Sequence, residues 1–119
     1  MDDASSSSIK GAITRYKLLE IEFKQGQVGH QELAHAALAV ANAYYERCIG
    51  HPYRRASRKA GDEWYREARY HEAKAGVSVT DKALLPDVMR SERNNRIMGF
   101  AVKTALVVVV ALLLAIVYL

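Results

Sequence analysis

The chain has 119 residues, with 17 lysines and arginines against 13 acidic residues and a net charge of +4. This length leaves room for one modest domain, and the charge is too mild to indicate a nucleic-acid-binding protein. The single cysteine, Cys48, excludes an intrachain disulfide and fits a reducing compartment.

The N-terminal segment, residues 1–8, is predicted to be a flexible tail. It begins with an acidic Met1-Asp2-Asp3 and continues into four serines, Ser5 to Ser8. A secretory signal needs a basic start and an apolar run, and a transit peptide is rich in arginine, so we expect no targeting peptide here. The last serines are predicted to cap the first helix.

Two helices are predicted next, at residues 9–24 and 31–48. In the first, apolar side chains recur at the spacing of one helical stripe: Ile9, Ala12, Ile13, Tyr16, Leu19 and Phe23. A turn containing Gly26 and Gly29 separates it from the second, which is rich in alanine and has only a narrow polar strip. Such a helix is typical of the centre of a bundle. Gly50 and Pro52 then end it.

The third helix, predicted at residues 53–75, carries the candidate interaction surface. One face groups Ala60, Trp64, Ala68 and His71, and the opposite face is basic. The predicted interaction residues are Arg55, Lys59, Arg66, Arg69, Tyr65 and Tyr70. Arginine and tyrosine are enriched at protein interfaces, and anionic head groups are a further possible contact. The alternative is an ordinary solvated face balanced by Asp62, Glu63 and Glu67.

The candidate chemistry is sparse. His30 and His35 are five residues apart, which does not place two metal ligands on one helical face. His71-Glu72 begins like a zinc-protease motif, but Ala75 stands where the second histidine belongs. We therefore predict a protein that is not an enzyme, with no catalytic residues, no metal, no cofactor, no small-molecule substrate and no nucleic acid.

The C-terminal part is predicted to be a linker at 77–85, a basic juxtamembrane helix at 86–96 and a transmembrane helix at 97–119. The last of these reads IMGFAVKTALVVVVALLLAIVYL, with Lys103 as its only charge. At about 1.5 Å per residue it covers about 34 Å, enough for a hydrocarbon core of about 30 Å. Only a helix satisfies the backbone of a single segment in lipid.

Four basic residues are predicted at the membrane interface, namely Arg90, Arg93, Arg96 and Lys103. By the positive-inside rule the N-terminal domain lies on the cytoplasmic or equivalent side, in a tail-anchored topology. Lys103 either extends to the near interface or pairs with a group on another transmembrane helix. A mitochondrial membrane is expected if the chain is eukaryotic, and otherwise the endoplasmic reticulum or a bacterial inner membrane.

These elements predict an all-α chain made of a small three-helix N-terminal bundle, a linker and a long C-terminal helix that becomes a single-pass anchor. The predicted function is a non-enzymatic accessory or adaptor subunit of a larger membrane complex. Its partners would be membrane lipid and other protein subunits in a hetero-oligomer. The alternative is a free-standing tail-anchored receptor or tether that recruits a soluble protein to the membrane.

Overall fold

A computed structural model describes residues 2–50 and 54–119, with side chains from Ser8 onward. Its elements are four α-helices and one 3-10 helix: α1 (Asp2–Lys24), α2 (His30–Glu46), α3 (Arg55–Ala75), the 3-10 helix Thr80–Lys82 and α4 (Leu85–Tyr118). Helices α1 to α3 form the N-terminal bundle. The all-α architecture predicted from the sequence, with a long apolar C-terminal helix, is confirmed.

The helix ends differ from the predicted ones in α1, α2 and α3, and α2 ends at Glu46, two residues before its predicted end. Helix α1 begins at Asp2, so its backbone includes most of the segment predicted to be a flexible tail, and the serines lie within the helix and do not cap it. Acidic residues at positions 2 and 3 favour this start, because they face the positive end of the helix dipole. Helix α3 begins at Arg55. The predicted start at Tyr53 lies outside the described residues.

Helix α2 is the centre of the bundle and packs against α1 and α3. Its buried side chains are Leu33, Ala34, Ala36, Ala37, Leu38, Val40, Ala41 and Tyr45. Small alanines allow neighbouring helices to approach closely, while Leu33, Val40 and Tyr45 supply most of the buried apolar volume. Helix α2 approaches α3 closely at Gly61, where the Tyr45 ring occupies the space that a Cβ atom would need.

The connector between α3 and α4 is bonded to the bundle. Glu72 accepts hydrogen bonds from the backbone amides of Val79 and Thr80, both at 2.8 Å, and from the Thr80 hydroxyl at 2.7 Å. Asn42 on α2 accepts from the Leu84 amide at 2.9 Å and donates to the Lys82 carbonyl at 3.3 Å. The Val79 side chain is fully buried. The segment predicted as a linker is therefore held at several points.

Helix α4 has a packed start and an exposed remainder. Val88 is fully buried in a cluster with Ala41, Tyr45 and Cys48. Beyond Glu92 nearly every residue of the helix is exposed. This part includes an 18-residue stretch with a mean hydropathy of 2.8, none of it buried. By length and composition, α4 can cross a membrane, and it extends the molecule to 81 Å along its longest axis.

Candidate interaction surface

Helix α3 turns its basic side away from α2. Arg55, Lys59, Arg66 and Arg69 are all exposed, and Tyr70 is 53% exposed. We call these five residues the α3 basic face. They recur at helical spacing along one side of the helix. The structure therefore places five of the six predicted interaction residues on one accessible surface.

Tyr65, the sixth predicted interaction residue, lies at the edge of this face. It is half-buried and packs against the cluster around Tyr45. The neighbouring Tyr65 side chain raises the pKa of the exposed Arg69 guanidinium one turn later. Tyr65 is thus a supporting residue beside the α3 basic face.

Two acids of α3, Asp62 and Glu67, are bonded away from the basic face, whereas the exposed Glu63 lies beside it, so the four cations of the face still outnumber the nearby acids. Asp62 accepts the Tyr45 hydroxyl at 2.7 Å and pairs with Arg58. Glu67 accepts the Tyr16 hydroxyl at 3.1 Å. By contrast, no basic residue of the face forms an ion pair with any residue in the described ranges 2–50 and 54–119.

A second basic region lies where α3 begins and α4 passes beside it. A cavity of about 530 Å³ separates them. Its cationic lining residues are Arg54, Arg55, Arg58, Arg96 and Lys103. The predicted interface residues Arg96 and Lys103 are thus brought together with Arg55, while Arg90 and Arg93 lie outside this cavity. Arg54 and Arg58 had not been singled out from the sequence, because their closeness to α4 depends on the tertiary fold.

A hydrogen-bonded histidine pair joins all three bundle helices. His71 on α3 is 6% exposed, and its Nδ1 lies 2.9 Å from Nδ1 of His30 on α2. Its Nε2 lies 3.1 Å from the Tyr16 hydroxyl and 3.2 Å from Glu67. Burial lowers the pKa of His71, with His30 adding to the effect and Glu67 opposing it.

The proton positions in this network follow from its geometry. If His30 donates through Nδ1, His71 accepts at Nδ1 and keeps its proton on Nε2, where Glu67 and the Tyr16 oxygen can accept it. Every member then has a partner while His71 is neutral. The network therefore ties the helices together. No group of three or more metal-binding side chains occurs within the described part of the chain.

Helical spacing predicted that His71 lies on one face with Ala60, Trp64 and Ala68, but it did not predict the pairing of His71 with His30. His30 lies 41 residues earlier and became its partner only through the packing of α2 against α3. Cys48 is buried beside the α4 cavity, and burial raises the pKa of its thiol. Its thiolate form is therefore disfavoured at neutral pH.

Comparisons with protein-family models, with curated proteins and with solved structures found no match for this chain.

Proposed function

We propose that this protein is a non-enzymatic accessory or adaptor subunit of a larger membrane complex, anchored by α4 and docking a protein partner through the α3 basic face. The observation that carries the proposal is the firm attachment of the bundle to the start of α4. A bundle fixed to its anchor presents one surface at a set height and orientation above the membrane. That arrangement suits a subunit that fits between other subunits.

Three contacts make this attachment. Val88 is buried against the bundle, the Gly50 amide donates to the Ser91 hydroxyl at 2.8 Å, and Arg58 Nε donates to Glu92 at 2.9 Å. All three fall within residues 85–92 of α4, with only residues 93–96 between them and the exposed apolar stretch that begins at Ile97. A free-standing tether would gain reach from a long flexible linker, which increases the volume that its binding domain can search. The bonded connector favours the subunit over the tether.

The partner surface is expected to be acidic. The α3 basic face carries four cations without an ion pair in the described part of the chain, and Tyr70 stands among them with Lys74 located 5.7 Å from its ring centre. Complementary charge steers two proteins together and fixes their orientation, and an exposed tyrosine adds contact area at a small entropic cost. These features support a protein-docking role for the face.

The orientation and the compartment are also proposals. Arg90, Arg93 and Arg96 lie on the bundle side of the apolar stretch, which supports a cytoplasmic or equivalent location for the bundle. Trypsin added to sealed organelles or inverted vesicles should then digest the bundle and leave the anchor protected. Fractionation of a eukaryotic host tests the expectation of a mitochondrial membrane.

A site-specific crosslink tests the docking face. We would replace Tyr70 with the photoreactive residue benzoylphenylalanine in the full chain, irradiate intact membranes and examine the products on a denaturing gel. The matched control is the same replacement of Leu18 on α1, which is 57% exposed against 53% for Tyr70. The proposal predicts a discrete crosslinked band from position 70 and none from position 18.

Two further variants link that band to charge. Arg66→Glu with Arg69→Glu should abolish the crosslink, whereas Lys10→Glu with Lys17→Glu on α1 makes the same change in net charge and should preserve it. A band from position 18 alone would place the docking surface on α1. A chain that migrates as a monomer and gives no crosslink from either position would support the free-standing tether.

A further inference from the structure

We propose that the cavity between the start of α3 and helix α4 binds the phosphate-bearing headgroup of an anionic membrane phospholipid. The cavity holds about 530 Å³. That volume lies within the range of about 300–1,000 Å³ for small-molecule sites, and it is too small for a protein domain. Four of its cations are exposed and can reach an entering ligand, namely Arg54, Arg55, Arg96 and Lys103.

The positive charge of the cavity lining favours an anionic ligand. Five cationic side chains and a single carboxylate, Glu92, surround the cavity. Arg58 binds that carboxylate at 2.9 Å, whereas Arg54, Arg55, Arg96 and Lys103 have no ion pair with any residue in the described ranges. Like charges around one cavity repel each other until an anion enters between them.

The kind of anion follows from the donors. Arginine presents a planar fork of N–H groups that matches the oxygen atoms of a phosphate, and several forks around one cavity favour a multiply charged group. Lys103 adds a compact charge that can contact any phosphate oxygen. The site therefore fits a phospholipid whose headgroup carries more than one negative charge.

The position of the cavity along α4 selects a lipid over a soluble phosphate. The α4 lining residues Glu92, Arg96, Phe100 and Lys103 recur every three or four positions and share one side of the helix. The charged ones are followed by 16 uncharged residues. Cations at this place lie at the level of the head groups, where basic pockets bind anionic lipids.

The same side of α4 offers a surface for the hydrocarbon chains. Beyond Phe100 it continues through Leu106, Val107 and Val110, which are 65%, 67% and 49% exposed. A ligand with an anionic head and apolar chains satisfies both parts of this surface at once. Lys103 thereby acquires a role on its own chain, as a headgroup ligand at the near interface, without a partner in a second transmembrane helix.

This proposal rests on the anchoring of α4 in a membrane, as the proposed function does, but not on the docking of a protein. The experiment therefore uses the purified full chain in detergent without any partner. If no lipid binds in this experiment, the docking proposal is unaffected, and if the Tyr70 crosslink fails, the lipid proposal is unaffected.

Native mass spectrometry of the full chain, with lipid added to the detergent, measures binding directly. The probes are cardiolipin, which carries two phosphates, phosphatidylcholine, which has no net charge, and sodium phosphate. We expect one retained cardiolipin per chain, bound about tenfold or more tightly than phosphatidylcholine, and no retained inorganic phosphate. Equal binding of the two lipids would overturn the proposal. Binding of inorganic phosphate as tight as that of cardiolipin would make the cavity a soluble-anion site and would also overturn it.

Paired variants locate the bound lipid. Arg55→Gln with Arg96→Gln removes one cation from each wall and should weaken cardiolipin binding about tenfold or more. Arg15→Gln with Lys17→Gln on α1 removes the same charge from exposed positions outside the cavity and should change binding less than about twofold. An equal loss of cardiolipin affinity in both double variants would show that general surface charge, not the cavity, binds the lipid.

Both substituted arginines of the test pair are exposed and make no ion pair in the described ranges, so we expect the fold to survive, and far-UV circular dichroism checks this. Arg55→Lys with Arg96→Lys keeps the charge but loses the planar forks. It should recover part of the affinity, and no recovery at all would contradict a phosphate ligand.

Discussion

Replacing Gly61 with alanine tests the close contact between α3 and the Tyr45 ring of α2. A Cβ atom at Gly61 would lie 2.7 Å and 2.8 Å from two carbons of the Tyr45 ring. Carbon atoms normally approach to about 3.5–4.0 Å, so the ring or the helices must move. The ring cannot move freely, because it is fully buried and its hydroxyl is bonded to Asp62 at 2.7 Å.

The expected magnitude follows from three contributions. Overpacking a core costs about 1–3 kcal/mol, and loss of the Tyr45 hydrogen bond costs about 1 kcal/mol. Against these, alanine in a helix interior is about 1 kcal/mol more favourable than glycine. We therefore expect Gly61→Ala to lower the free energy of unfolding by about 2 kcal/mol.

The matched control is Gly11→Ala, also within a helix, where the added Cβ meets no described atom within 4 Å outside its neighbours and the local helix backbone. It should raise the stability by about 0.5–1 kcal/mol. Urea unfolding of the full chain in detergent can follow the fluorescence of Trp64, the only tryptophan, which packs against both core clusters. A Gly61→Ala protein as stable as Gly11→Ala would refute the close approach of α2 and α3.

Three other predictions concern the connector and the buried network. Val88→Ala should cost about 2 kcal/mol and make the connector more sensitive to limited proteolysis, whereas Met89→Ala at the adjacent exposed position should change neither. Hydrogen bonds, chiefly from Thr80, lower the pKa of Glu72 in the folded protein. The contribution of this carboxylate to the free energy of unfolding should therefore be complete above its unfolded-state pKa of about 4.3, and it should be lost as the pH falls through the folded-state pKa. Glu72→Gln should cost about 1–3 kcal/mol at pH 7 and remove this acid dependence from the urea midpoint. Burial lowers the pKa of His71, so the contribution of its neutral imidazole to the free energy of unfolding should be complete above about pH 6.5 and should decline as the pH falls toward the folded-state pKa. In an NMR titration, the imidazole signals of His71 should show a midpoint below about pH 6.5.

The helices and the anchor could be predicted because their signals are local. Apolar residues at helical spacing located α1, the alanine content of α2 indicated its central place, and Gly76 ends α3 in the left-handed conformation that glycine adopts easily. The apolar C-terminal stretch could be predicted to span a membrane from its length and composition alone. The start of α1 was misplaced, because a run of serines is typical of a tail and its helical state depends on the residues that flank it.

The candidate sites were less accessible from the sequence. The exposed face of α3 follows from periodicity, but its charge excess depends on where Asp62 and Glu67 find partners, and those partners come from other helices or from the buried side. The α4 cavity joins Arg55 to Arg96 across 41 positions of the chain. Such contacts arise from tertiary packing, which no local spacing rule reports.

The proposed role as a subunit is tested most directly by one measurement on the native protein. Membranes would be extracted with a mild detergent, resolved on a native gel, and the band that contains this chain identified by mass spectrometry. We expect the chain to migrate with a large assembly and Arg66→Glu with Arg69→Glu to release it. Migration at the mass of one chain in its micelle, unchanged by those substitutions, would contradict a role as a subunit.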